Sequence, residues 1–149
     1  MDPLLLRVLV VAALLVAVTI AGRWWRRRDG AVRPVDDERL RSDHLEDVGL
    51  DLTGSELGAV LLGTSTCAPC ETVKRVLSRL AAERHGFRWV YADAAEHLAL
   101  AREHRVHRVP TLLLVEPGGR VVARTSGVPD VDELRGVLDG GARIDDTAA

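Results

Sequence analysis

The longest pattern in the chain is an apolar run from Leu4 to Gly22, LLLRVLVVAALLVAVTIAG, broken by one charge at Arg7. Wound as a helix it extends roughly 28 Å, about the thickness of a bilayer's hydrocarbon core. Arg7 lies near one end, where a long side chain snorkels to the interface. Trp24 and Trp25 follow at once, where an aromatic belt belongs. A transmembrane anchor is therefore expected over residues 4–22. A cleaved signal peptide fits less well, because Thr19–Gly22 runs straight into Arg23 and the two tryptophans. A buried core helix is rarely so long and so uniformly apolar.

After the anchor the pattern breaks up. Residues 29–43 (DGAVRPVDDERLRSD) are polar and charged and hold Gly30 and Pro34, the composition of a linker. Leu40, His44, Leu45 and Val48 have loose helical spacing, so a short helix is expected to begin near Asp36. Leu57–Gly63 (LGAVLLG) is apolar without alternation, as in a strand buried on both faces. Ala68 to Glu83 carries an apolar stripe of Val73, Val76, Leu77 and Leu80 at helical spacing, and Gly86 is expected to stop this helix. Phe87–Ala92 predicts a second strand, 94–104 a second helix, Thr111–Val115 a third strand, and Arg120–Thr125 a fourth after the turn Pro117-Gly118-Gly119. A last helix over 130–138 opens on Asp130 as a cap and turns Val131, Leu134, Val137 and Leu138 inward. The first three strands are joined by helices and are expected to run largely parallel, the fourth adding an antiparallel edge. The class is α/β, a mixed central sheet with helices on both faces.

Charge adds orientation and removes one class of partner. The net charge is −2 and aromatic residues are 3% of the chain, so neither a basic field nor a base-stacking surface points to nucleic acid. Arg23, Arg26, Arg27, Arg28 and Arg33 crowd the far side of the anchor, against only the terminal amine and Asp2 before it. The positive-inside rule then places the following domain in the cytoplasm, as a single-pass membrane protein. The opposite topology, with the domain on the extracytoplasmic face, is the alternative.

Only two cysteines are present, Cys67 and Cys70. A pair this close closes too small a loop to staple the fold, which leaves redox chemistry, metal binding or an inert pair. The pair follows a predicted strand and opens a predicted helix. Unpaired backbone N–H groups and the helix dipole there favour an anion, so Cys67 is expected to ionise more readily than free cysteine. Its thiolate would attack a partner disulfide, and Cys70, one turn along, would resolve the mixed disulfide. Pro69 limits backbone freedom between them. A metal site would need more ligands; His104 and His107 form a His-x-x-His but lie far along the chain. Asp93, after the second strand, is expected to cap the next helix.

Cys67-Ala68-Pro69-Cys70 between a strand and a long helix, Asp93 ending the next strand, and Val109-Pro110-Thr111 before an apolar strand and a Gly-containing hairpin together resemble the thioredoxin-like family. The resemblance covers about Leu57 to Leu138. It implies Cys67 as nucleophile, Cys70 as resolving cysteine, Pro110 as a cis-proline facing them, and Val109 and Gly127 lining a groove for an extended partner strand. It also implies protein disulfide clients, an upstream electron donor, and no cofactor beyond the redox-active disulfide itself. The division expected is an anchor with its basic flank (1–28), a linker (29–43), a thioredoxin-like domain (44–139) and a flexible tail (140–149). The chain departs from the family pattern in four places, one being Ala68-Pro69 where Gly-Pro is usual between the cysteines. Thr66 stands where a tryptophan is usual, Leu61 where a buried aspartate is, and Trp89 near the place of that aspartate's lysine. Proton transfer at Cys70 would then need water or another group, for which Glu71 is adjacent. The two further functional readings are an extracytoplasmic oxidoreductase in cytochrome or envelope-protein maturation, and a non-redox binding module or metal carrier on the same scaffold.

Overall fold

All seven residues of Leu57–Gly63 are buried, and they form the strand around which the domain is built. The computed structural model describes residues 3–28, 30–35 and 37–140. In chain order the elements are α1 (Pro3–Arg28), β1 (Arg33–Pro34), α2 (Ser42–Asp47), β2 (Leu57–Gly63), α3 (Ala68–Glu83), β3 (Phe87–Asp93), α4 (Leu98–Glu103), β4 (Thr111–Val115), β5 (Val121–Ser126) and α5 (Val131–Gly140). The expected tail after residue 140 lies outside the described residues.

The sheet order is β1-β5-β4-β2-β3. Alternate residues of β2 feed two separate cores. Ala59 and Leu61 join Val73, Leu77 and Leu80 of α3 and Leu134 and Leu138 of α5 on one face. Val60 and Leu62 join Leu40, Val48 and the α4 residues Leu100 and Ala101 on the other. The apolar run without alternation thus reflects a strand covered on both sides. The expected α/β class, with helices on both faces, is observed.

Strand direction corrects the expectation in one place. β2 and β3 are parallel, but β4 runs antiparallel to β2, with Leu62 opposite Thr111. The reason is length. α4 has six residues, about 9 Å of helix, whereas carrying the chain back along a seven-residue strand takes roughly 23 Å. The chain re-enters the sheet at the end it left and must run the other way. This brings the start of β4 beside the end of β2.

The supposed linker is part of the sheet. Arg33 and Pro34 pair with Arg124 and Ala123 of β5, so β5 is interior, and β1 and β3 are the edges. Leu40 is 3% exposed and donates its N–H to the Gly119 carbonyl at 2.7 Å. A two-residue strand has no periodicity to read, and proline is tolerated in it because it lies at an edge. The domain therefore begins near Gly30 rather than at residue 44, and the first helix after it is Ser42–Asp47 rather than one starting near Asp36. The helix expected over 94–104 is shorter too. Asp93 accepts a hydrogen bond from the Ala95 N–H in the turn before α4, and His97 occupies the cap position. Asp130 does cap α5, accepting from the N–H groups of Asp132 and Glu133.

By length and composition α1 meets the requirement for a membrane span, and its residues from Leu6 to Arg23 are exposed. The chain that leaves α1 docks at once. The Gly30 N–H donates to the Ser126 carbonyl at 2.8 Å, and the Gly30 carbonyl accepts from the Asp130 N–H at 3.2 Å. Gly30 has φ +93°, and a Cβ there would run into the Val128 carbonyl. Gly30→Ala is expected to lower stability by roughly 1–3 kcal/mol, read as a lower urea midpoint of the full chain in detergent. An unchanged midpoint would mean the segment is not docked.

Candidate functional site

Three strands begin or stop at one end of the sheet. β2 stops at Gly63 and leads into the loop Thr64–Cys67; β4 starts at Thr111, after Pro110; β5 stops at Ser126, before Gly127. Thr111 pairs with both Leu62 and Ser126, so Pro110 falls between the ends of β2 and β5. The Gly127 N–H donates to the Pro110 carbonyl at 2.8 Å and locks the two together. The Val109–Pro110 peptide bond is cis. Pro110 is buried and Val109 half-buried, and Val128, next to Gly127, is 41% exposed. Val109, Pro110 and Val128 thus lie at the end of the sheet where β2 and β5 stop.

Cys67 is the residue that caps α3. The Cys70 N–H points back at it, 3.1 Å from the Cys67 carbonyl and 3.3 Å from its Sγ. The two sulfurs are joined in a disulfide with Cα atoms 5.3 Å apart. Cys67 is half-buried at the surface of the loop, whereas Cys70 is 1% exposed. The outer sulfur is therefore the one a partner can reach. Pro69 sits in the first turn of α3, where its missing N–H is not needed.

The surroundings of Cys70 hold a group the sequence did not single out. A Cβ on Gly63 would come within 2.9 Å of Cys70 Sγ and 3.1 Å of the Tyr91 hydroxyl. Gly63 is what allows the buried sulfur and the phenol to share that space. The Lys74 ammonium lies 4.0 Å from the centre of the Tyr91 ring and bonds Glu71 at 2.8 Å. Burial first, and then the Asp93 charge, push the Tyr91 hydroxyl above its usual range, against the opposing pull of Lys74. Hydrogen bonding to Glu71 keeps Lys74 charged to higher pH than usual. Glu71, adjacent to Cys70 in sequence, is thus turned along the helix to Lys74. Leu61, in the aspartate's place, is wholly buried, and Trp89 packs on the same core. A tyrosine on an apolar strand gives no sequence signal of such a role; pairing Leu61 with Tyr91 across β2 and β3 would have been needed to find it.

The cysteines and the two histidines considered with them do not meet in one site. His104, 2% exposed, bonds Glu38 from the end of α4, on the face of the sheet opposite α3. His107 is exposed and lines a cleft with Arg33, Arg105 and Arg124.

Comparison with known proteins agrees with this geometry. A scan against protein-family models finds none that matches. The mitochondrial thioredoxins of Mus musculus and Bos taurus are each 36% identical to the chain over 74 residues, which is 48% of this chain and 43% of each relative. The chain thus spans less than half the length of the curated relatives it matches. Among solved structures, a point mutant of thioredoxin from Halobacterium salinarum superposes with a TM-score of 0.57 at 25% identity, covering 71% of this chain and 89% of that one. Oxidized mitochondrial thioredoxin 3 from Saccharomyces cerevisiae has a TM-score of 0.53 at 23% identity, covering 63% of this chain and 87% of that one, a likeness of fold. With the sheet order, the cysteine pair at the head of α3 and these relatives in agreement, the chain is thioredoxin-like in fold and in the sequence around its cysteine pair.

Proposed function

We propose that the protein is a thiol–disulfide oxidoreductase that reduces disulfides in partner proteins at the membrane surface. The observation that carries this reading is the placement of the pair. An accessible cysteine caps a helix, a buried one lies a turn behind it, and that helix starts at the end of the sheet that carries Val109, Pro110 and Gly127. In the reduced protein the Cys67 thiolate attacks one sulfur of a partner disulfide. That bond breaks, one partner thiolate leaves, and a Cys67–partner disulfide forms. Cys70 loses its proton and attacks Cys67 Sγ, the mixed disulfide breaks, and the second partner thiolate leaves. The partner gains two electrons, the Cys67–Cys70 disulfide forms, and an upstream dithiol must return two electrons to it. Val109 and Gly127 offer backbone to an extended client segment.

The membrane setting is supported by α1 and by the way the chain leaves it. Gly30, two residues past the end of α1, is bonded to Ser126, next to Gly127. On this reading the strand ends that carry the cysteines face the lipid surface. The arginine cluster after the span favours a cytoplasmic domain. An added surface cysteine in a Cys67→Ser/Cys70→Ser background should react with an impermeant maleimide only after lysis; labelling of intact cells would move the domain to the other side.

The test of the activity is trapping by Cys70→Ser in whole cells. Mixed disulfides on Cys67 should accumulate, run as reducible adducts, and vanish in Cys67→Ser/Cys70→Ser. A Cys70→Ser protein that forms no adducts would refute the reading.

Tyr91 supplies the polar neighbour that Leu61 cannot. Its raised ionisation point keeps the hydroxyl protonated at neutral pH, so it acts as a hydrogen-bond donor toward Cys70 as that thiolate forms and not as a base. Tyr91→Phe is expected to slow resolution several-fold, which lengthens the life of the mixed disulfide, while the first attack by Cys67 keeps its rate. Stopped-flow reduction of a model disulfide separates the two steps. Equal slowing of both would show that the substitution acts through structure alone.

A further inference from the structure

On the face of the sheet opposite the dithiol, α2 and α4 bring together His44, Glu103 and His104. One candidate ligand atom from each lies within 4.8 Å of the others. We propose that these three residues form a binding site for a divalent transition-metal ion of the zinc type, with Glu38 as its outer partner. The inference does not depend on the chemistry of Cys67 and Cys70.

Four observations carry it. First, His104 is 2% exposed, and its Nε2 is buried without a hydrogen-bond partner. Second, its Nδ1 lies 2.5 Å from Glu38 Oε1. A carboxylate on Nδ1 holds the proton there and leaves the Nε2 lone pair free, the arrangement that orients metal-binding histidines. Third, His44 Nδ1 is also buried without a hydrogen-bond partner, with Glu103 Oε2 facing it at 3.7 Å, beyond hydrogen-bond reach. Two buried imidazole nitrogens without hydrogen bonds are a cost that a bound ion would relieve. Fourth, the two rings meet edge to face, with centroids 6.4 Å apart.

The donor set selects the ion. Two imidazoles and a carboxylate suit zinc and its neighbours, whereas magnesium and calcium prefer oxygen ligands alone. Bonds of about 2.0–2.2 Å to a tetrahedral ion set ligand atoms about 3.3 Å apart, so atoms now within 4.8 Å of one another must draw together around the ion. Glu103, whose side chain is 41% exposed, is the ligand free to move, and solvent can fill the fourth position. A cleft of about 370 Å³ lined by Glu38, Glu103 and His104 gives access. Arg105 and Arg124 also line it and oppose a cation, but Arg124 is drawn toward Glu38, at 3.8 Å from Oε2. A bound ion would tie α2 to α4, which Asp47 and His97 already link at 2.7 Å.

The experiment uses the full chain in detergent, without a polyhistidine tag, and with the Cys67–Cys70 disulfide intact so that no thiolate competes. Titration with Co²⁺ should give one ion per chain, with ligand-field absorption and no sulfur-to-cobalt charge-transfer band, and Zn²⁺ should displace it. His44→Gln and His104→Gln should abolish this binding, and His107→Gln should leave it intact. Glu38→Gln should weaken it roughly 10–100-fold. Glu103→Gln, at an exposed position, should weaken it at least about tenfold; it keeps the test decisive if a histidine variant fails to fold by circular dichroism. Absence of stoichiometric binding, or binding indifferent to Glu103→Gln, overturns the site.

Discussion

Cys67→Ser is expected to abolish reduction of protein disulfides, lowering turnover on the order of 10³-fold or more. A serine hydroxyl does not ionise near neutral pH and cannot displace a sulfur from a disulfide, so the geometry is kept and the nucleophile is lost. Cys70→Ser should fail differently. The first attack survives because Cys67 still caps α3 and still receives the N–H of residue 70, but the mixed disulfide has no internal exit. Single-turnover kinetics distinguish the two, with no release of partner thiol in the first and one equivalent without turnover in the second. Equal residual activity in both variants would mean that the sulfurs do not divide the labour as their exposure suggests, Cys67 half-buried at the surface and Cys70 1% exposed.

Leu61→Asp is expected to cost more stability than any other change considered, about 3–5 kcal/mol at neutral pH. The family pattern it resembles has a carboxylate at this place, yet here Leu61 is wholly buried among Ala59, Val73, Leu77 and Leu112, and Trp89, near the place of the accompanying lysine, packs on the same core. An aspartate would enter a finished apolar core without a partner. Burial would raise its ionisation point in the folded state above the unfolded value of about 3.9. The folded state then binds the proton more tightly than the unfolded one, so the loss is smallest below about pH 4. It grows as pH rises through the unfolded value, and levels off once pH passes the folded one. Urea unfolding of the variant at acid and neutral pH measures this directly. A midpoint gap from the parent that does not widen with pH would show that the carboxyl reaches solvent or finds a partner.

Tyr91 gives these two results a common setting. The core that excludes a carboxylate at residue 61 also holds the phenol beside Cys70, in the room left by Gly63. Under the proposed function, resolution at Cys70 is aided by a neutral donor, with Lys74 paired to Glu71 and set over the Tyr91 ring, rather than by a buried acid.

Much of this was legible in the chain. Uniform apolarity of Leu4–Gly22 and of Leu57–Gly63, the helical stripe through Val73, Leu77 and Leu80, and the Cys67–Cys70 spacing at the head of that helix rest on local periodicity, which is a property of neighbouring residues. The antiparallel direction of β4, the docking of residues 30–40 on the sheet, and the interior place of β5 were not, because each follows from distances between remote segments: a six-residue helix too short to recross the sheet, and backbone bonds from Gly30 and Leu40 to partners about eighty or more positions away. The same holds for the polar groups. Cys67 and Cys70 announce themselves by their spacing, whereas Tyr91 beside Cys70, and His44 facing His104 and Glu103, are adjacent only because strands pair and helices pack. Short-range order is written in periodicity and turn residues; which side chains meet across the fold is decided by the cores that α2, α3, α4 and α5 share with the sheet.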